Sequence, residues 1–261
     1  MTPAPERADS PVPYALTRAA AHVQAPSGRS PALPSRVAAE ALGTGLLVAT
    51  VVGSGIAATR LMPGQPGLQL LANSIATAAV LVALVLALQP VSAAFNPVVT
   101  LVERLAGVLT TAEACALAGA QLIGGCLGAV LANLMFDLPP VTVSTHARAT
   151  SSGVLLAEVV ATFGLVVLIF ATVRAGRERS VAYVVAGWIA AAYWATSSTS
   201  FANPAVTAAR TVTDSFAGIA PASAPAFVAA QVVGGLLAVA ALRILHPRPA
   251  SGLPTTTEDE R

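Results

Sequence analysis

Asn96-Pro97-Val98-Val99-Thr100 and Asn203-Pro204-Ala205-Val206-Thr207 are two copies of one five-residue pattern, each set in a short apolar stretch between longer hydrophobic segments. Asn followed by Pro suits the start of a helix. The Asn side chain caps free N–H groups, and Pro fits the first helical position because it has no N–H to leave unpaired. A single pair would mark only a helix start or a turn, but two copies in matching halves of the chain point to a repeat built around them.

The surroundings of the two motifs set the class. The chain has 261 residues, of which 55% are hydrophobic and 10% charged, a balance that a soluble domain of this length rarely carries. It reads as an integral membrane protein whose first partner is the lipid bilayer. The formal net charge is +2 and every basic side chain is Arg, with no Lys, so a nucleic-acid footprint is not supported.

Six stretches approach the roughly 20 apolar residues that a ~30 Å hydrocarbon core requires: 36–58, 68–89, 112–136, 153–173, 180–198 and 225–245. The Asn-Pro segments lie between the second and third and between the fifth and sixth. Each offers only about 10 helical residues, too few to cross alone. Such half-length helices read as re-entrant segments, tolerated at membrane depth only where irregular backbone lines a cavity. Residues 1–34, rich in Pro, Ala and Arg and without an apolar core of signal-peptide length, read as a disordered tail, as does 247–261.

The halves share three landmarks in the same order. Glu40 in the first span matches Glu158 in the fourth. Asn96 matches Asn203. Gln121-Leu-Ile-Gly124-Gly125 in the third span matches Gln231-Val-Val-Gly234-Gly235 in the sixth. With three spans per half, the second half enters the membrane from the opposite side, which makes an inverted repeat. The expected channel domain is 35–246, with repeat one at about 35–137 and repeat two at about 152–246. Arg7, Arg18, Arg29 and Arg36, the loop with Arg174, Arg177 and Arg179, and the tail with Arg248 and Arg261 all fall on one side. The positive-inside rule makes that side cytoplasmic, with both termini there in a cell (inner) membrane.

Six spans, two inverted halves and an Asn-Pro-Ala-type motif in each resemble the major intrinsic protein (aquaporin and glyceroporin) family over residues 36–246. The resemblance implies an all-α membrane fold with two half-helices meeting end to end, a pore lined by Asn96 and Asn203, and a homotetramer with one pore per subunit. The first motif departs from the pattern in reading Asn96-Pro97-Val98 where the second reads Asn203-Pro204-Ala205, which keeps both capping residues. Thr213 to Gly218, after the run Asn-Pro-Ala-Val-Thr-x-x-Arg, is similar to a bacterial branch of the family linked to arsenic resistance.

Each half-helix would present its N-terminus, equivalent to roughly +0.5 elementary charge, to the midplane. Two such ends oppose cations and protons, while the Asn amides donate hydrogen bonds to neutral solutes. Water-selective relatives carry Arg directly after the second Asn-Pro-Ala, where this chain has Val206. By the family spacing the other constriction positions fall on Ser200, Ala191 and Thr77, with Ala76 the alternative to Thr77. That ring is wide and weakly polar, fit for uncharged solutes larger than water, such as glycerol or arsenous acid. Arg210, two helical turns from Asn203 on nearly the same face, is either a displaced filter in the vestibule or a solvated arginine beside Asp214.

Intramembrane carboxylates are functional-site candidates by default. Glu40 and Glu158 form a repeat-related pair without a His, Lys or Asp partner, which favours a structural role holding irregular backbone over a proton relay. Gly124 with Gly128, and Ala230 with Gly234 and Ala238, carry the small-residue spacing of close helix packing. Cys115 and Cys126 lie about 16 Å apart along one helix, too far to bond. Trp188 and Trp194 read as packing or interface anchors. His22, His146 and His246 show no metal-ligand spacing, so no metal and no cofactor are expected. No nucleophile with its base, phosphate loop or carboxylate dyad is present, so an enzyme is not expected. The reading is a passive channel for small neutral solutes, with a secondary active transporter of the same inverted-repeat architecture as the alternative.

Overall fold

The computed structural model describes residues 31–245. The Arg positions at 7, 18, 29, 248 and 261, His22 and His246, and nearly all of both tails lie outside the described residues. Eight α-helices make up the described part: α1 Leu33–Leu61, α2 Pro66–Leu88, α3 Pro97–Leu105, α4 Thr111–Met135, α5 Ser152–Arg174, α6 Val181–Ala195, α7 Pro204–Ala209 and α8 Ala224–Leu245. A 3-10 turn, Glu178–Ser180, leads into α6, and another, Arg210–Val212, continues α7.

Local chemistry sets the starts. Proline occupies an opening position of α1, α2, α3 and α7, where its missing N–H and fixed φ cost nothing. α4 opens on a reciprocal capping box, in which the Thr110 hydroxyl accepts from the Glu113 amide and the Glu113 carboxylate accepts from the Thr110 amide.

Among the described residues, α1, α2, α4, α5 and α8 are long and apolar enough to cross a membrane. The sixth expected span, 180–198, is shorter than the sequence suggests. α6 has 15 residues, about 22 Å of helix, because the Thr196-Ser197-Ser198-Thr199-Ser200 run leaves the helix and takes positive φ at Thr199 and Ser200. Hydroxyl side chains compete for the backbone groups that would continue a helix. The half-helices are short, nine residues in α3 and six in α7 before its 3-10 turn.

Packing follows the two halves of the chain. α1 packs on α4 as α5 packs on α8, and α1 meets α2 as α5 meets α6. α2 and α6 join the halves. Each half-helix rests on the last long helix of both halves, α3 on α4 and α8, and α7 on α8 and α4. The small residues permit this. A Cβ on Gly124 would run into the Ala41 carbonyl, and one on Gly128 into that of Gly45, so the α1–α4 contact has backbone against backbone.

The outside is apolar and the inside carries polar groups. Leu42, Ile75, Ile123, Leu127, Leu156 and Leu237 are exposed, whereas Glu40, Gln121, Glu158 and Gln231 are fully buried. That inversion suits a chain whose surroundings are hydrocarbon.

Candidate solute pore

The irregular backbone before each half-helix is held by a buried carboxylate. Glu40 accepts from the Ala94 and Phe95 amides at 2.8 and 2.7 Å and from Gln121 Nε2 at 2.8 Å, and Ser92 also donates to it. Glu158 accepts from the Phe201 and Ala202 amides at 2.9 Å each and from Gln231 Nε2 at 2.7 Å. Both glutamines also donate to the threonine of the neighbouring motif, Gln121 to Thr100 and Gln231 to Thr207, each at 2.9 Å. Phe95 and Ala202, next to the motifs, sit at φ 48° and 49°, a left-handed conformation that costs a non-glycine residue roughly 1–2 kcal/mol. The carboxylates offset that cost by satisfying amides that the irregular turns leave unpaired.

The motif asparagines strap the halves together. Asn96 Oδ1 accepts from the Val98 amide, and Asn203 Oδ1 from those of Ala205 and Val206. Asn96 Nδ2 donates to the Ala202 carbonyl at 2.8 Å, and Asn203 Nδ2 donates to the Phe95 carbonyl at 2.7 Å. Each carboxamide thus caps its own half-helix and spends one N–H on the backbone before the other motif, which leaves its second N–H uncommitted.

One cavity passes these groups. It is lined at one end by Arg36, Gln89 and Glu103, at its middle by Phe95, Asn96, Ala202 and Asn203, and at the other end by Thr77, Tyr193, Ser200, Phe201, Val206 and Arg210. The first end carries an ion pair, Arg36 to Glu113 at 3.3 Å. At the second end the Ser200 hydroxyl is buried without a hydrogen-bond partner, and Thr77 and Tyr193 share a hydrogen bond of 3.1 Å between their hydroxyls.

A family model described as Major intrinsic protein matches residues 28–196. The chain belongs to the major intrinsic protein family. It is 51% identical over 217 residues to Aquaglyceroporin AqpS of Rhizobium meliloti (strain 1021), a match covering 82% of this chain and 92% of that relative. Its fold is similar to the X-ray structure of the aquaglyceroporin from Plasmodium falciparum, with TM-score 0.57 and 15% identity over 81% of this chain and 96% of that one. At that identity the likeness concerns the fold. Family membership makes this a multi-pass membrane channel protein.

Of the expected pore residues of this major intrinsic protein, Thr77, Asn96, Ser200, Asn203, Val206 and Arg210 line the cavity. The motif neighbours Val98, Pro204 and Ala205 are buried in support of it. Pro97 opens α3. Ala191 requires correction. It is exposed on the outer face of α6, whereas Val185, Ile189 and Tyr193 line the cavity. These recur at a spacing of four residues, one helical turn, and position 191 stands about 200° away from its neighbours two residues on either side. Tyr193 therefore occupies the wall that Ala191 was expected to supply.

Arg210 is not a solvated arginine beside Asp214. It is 4% exposed, its guanidinium lies 3.6 Å from the centroid of the Phe201 ring, and its Nε donates to the Ala217 carbonyl. Asp214 accepts from the Thr145 amide and hydroxyl and pairs with His146 at 3.6 Å. The Thr145 amide and hydroxyl, with His146 beside them, hold its carboxyl below the usual carboxylate range. Arg148, in the loop before α5, has its guanidinium 5.6 Å from the same Phe201 ring and donates to the Phe216 and Gly218 carbonyls. A lone arginine in a loop gives no periodic signal that could have marked it.

Proposed function

We propose that this chain is a passive transmembrane channel for water and small uncharged solutes, glycerol-like polyols and metalloid acids such as arsenous acid among them. The observation that carries the reading is a cavity that passes both motif asparagines and, beyond them, is walled by Thr77, Tyr193, Ser200 and Val206. These are hydroxyls and an apolar side chain where water-selective relatives place arginine. The two half-helix N-termini meet at the asparagines and oppose cations and protons there, while each Asn keeps one N–H for a hydroxyl or water. The relative from Rhizobium meliloti is an aquaglyceroporin by name, which supports this reading.

In the working assembly four copies each carry one pore, in an inner membrane with Arg36, Arg174, Arg177 and Arg179 on the cytoplasmic side. The Glu103 end of the pore then faces the cytoplasm and the Arg210 end faces out. Glu40 and Glu158 hold backbone and relay no protons.

The test is solute flux in liposomes reconstituted with the full chain. A channel shows a low activation energy, no saturation at accessible concentrations and no dependence on a proton or sodium gradient. Saturating flux coupled to either gradient would replace the channel reading with that of a secondary active transporter.

A further inference from the structure

Two arginines, one from the loop that joins the two halves and one from the end of α7, flank one aromatic ring at the end of the pore beyond Val206. Arg210 stacks at 3.6 Å and Arg148 lies at 5.6 Å from the Phe201 centroid. Arg148 holds the carbonyls of Phe216 and Gly218, and Arg210 Nε takes the carbonyl between them, that of Ala217. The Ile219 amide in turn donates to the Arg210 carbonyl at 3.2 Å. The turn 216–218 is gripped from both sides, so the Arg210 side chain has one orientation.

That orientation leaves donors unspent. Arg210 is 4% exposed and lines the cavity, yet among the described residues its two Nη groups meet no acceptor and they are not sealed from open space. The Ser200 hydroxyl, lining the same end, is also without a partner. The nearby carboxylates are committed elsewhere. Glu158 accepts from Phe201, Ala202 and Gln231, and Asp214 accepts from Thr145. Neither carboxylate therefore pairs with Arg210, whose free N–H groups face the cavity among low-dielectric walls, where a charge-assisted hydrogen bond is strong. A guanidinium offers parallel N–H groups that match two oxygens of one anion, a geometry that a monatomic anion cannot use.

We propose that Arg210 is the seat of an oxyanion site at this mouth, that Arg148 is its positioning residue, and that an oxyanion bound there obstructs passage of neutral solutes. The obstruction rests on the channel reading above; the binding does not. Val206, one helical turn inward, leaves the level of the ring itself without a cation, so the anion is held outside the asparagine pair and is not drawn through it.

The probe is inorganic sulfate, compared with chloride at matched osmolarity and ionic strength. If the site has a Kd on the order of 10 mM, about 10 mM sulfate halves glycerol flux through reconstituted wild-type protein. In R210A the sulfate and chloride curves coincide, and R210K, which keeps the charge but not the fork, is blocked less than wild type. In vesicles of one orientation the block arises only from the side carrying Arg210, a wild-type result that stands even if R210A fails to fold. Binding is read separately from flux. About 100 mM sulfate raises the thermal midpoint of wild type over R210A, or over R210K should R210A not fold, by about 3–5 °C at that affinity. Equal wild-type flux and equal midpoints in sulfate and chloride overturn the site, as does a block that persists in R210A. Absence of glycerol flux with the sulfate-dependent midpoint intact overturns the channel reading and leaves the site standing.

Discussion

Glu158→Gln tests how the pore-lining backbone is held. The carboxylate is fully buried and accepts from the Phe201 amide, the Ala202 amide and Gln231 Nε2. A glutamine is nearly isosteric but has one oxygen. Turned so that this oxygen keeps Ala202 and Gln231, it points an NH2 group at the Phe201 N–H, leaving a buried donor unpaired. One unsatisfied buried donor costs about 1–3 kcal/mol, and turning two charge-assisted bonds into neutral ones costs about 1 kcal/mol each, for a total of about 3–5 kcal/mol. At about 2–4 °C per kcal/mol for a chain of this size, the thermal midpoint falls by roughly 10 °C. Because Ser200 and Ala202 hold positive φ beside the cavity, solute flux falls together with stability. The assay is thermal unfolding of purified protein followed by flux in liposomes. A midpoint within about 2 °C of wild type, a shift too small for one lost buried bond, would refute the holding role. If it came with abolished flux, it would point to proton transfer through the carboxylate.

The other predictions come from single contacts. Tyr193→Phe removes the hydroxyl that meets Thr77 at 3.1 Å. It lowers stability by about 1 kcal/mol and shifts the relative permeability of glycerol and water, which an Ala191 substitution on the outer face leaves unchanged; stopped-flow measurements on both variants decide. Gly128→Leu forces a side chain into the Gly45 carbonyl, separates α1 from α4, and costs at least the roughly 1–3 kcal/mol of an overpacked contact, read as a lower thermal midpoint.

Legibility differed between fold and site. The repeated motifs, the Glu and Gln landmarks and the long apolar runs were visible because each is a local pattern with a fixed consequence: Asn-Pro caps a helix, and a buried carboxylate must find donors. The length of α6 was not. Residues 196–198 are compatible with a helix end or its continuation by composition, and only the packed segment before Asn203 shows that the chain has left the helix by Thr196. Counting back across that irregular stretch put Ala191 where Tyr193 stands, since a slip of two residues turns a helix face to its opposite side. The Phe201 cluster escaped for another reason. Arg148 and Arg210 are separated by an entire half-repeat, and their meeting on one ring depends on how the loop 138–150 folds over the turn 216–218, through bonds such as Ser144 N–H to the Thr211 carbonyl at 2.9 Å. No periodicity in either segment encodes that. The reading of Arg210 as a solvated arginine fails on its burial, which spacing alone does not reveal.

On the proposed function, the wall containing Val206 sets what passes. The most direct measurement is stopped-flow light scattering of liposomes carrying wild type or Val206→Arg, under gradients of water, glycerol and arsenous acid. Wild type passes the larger solutes, and the arginine variant, with a guanidinium at the level of Thr77 and Ser200, passes water alone. Wild type passing only water, or an arginine variant with undiminished glycerol flux, would contradict that function.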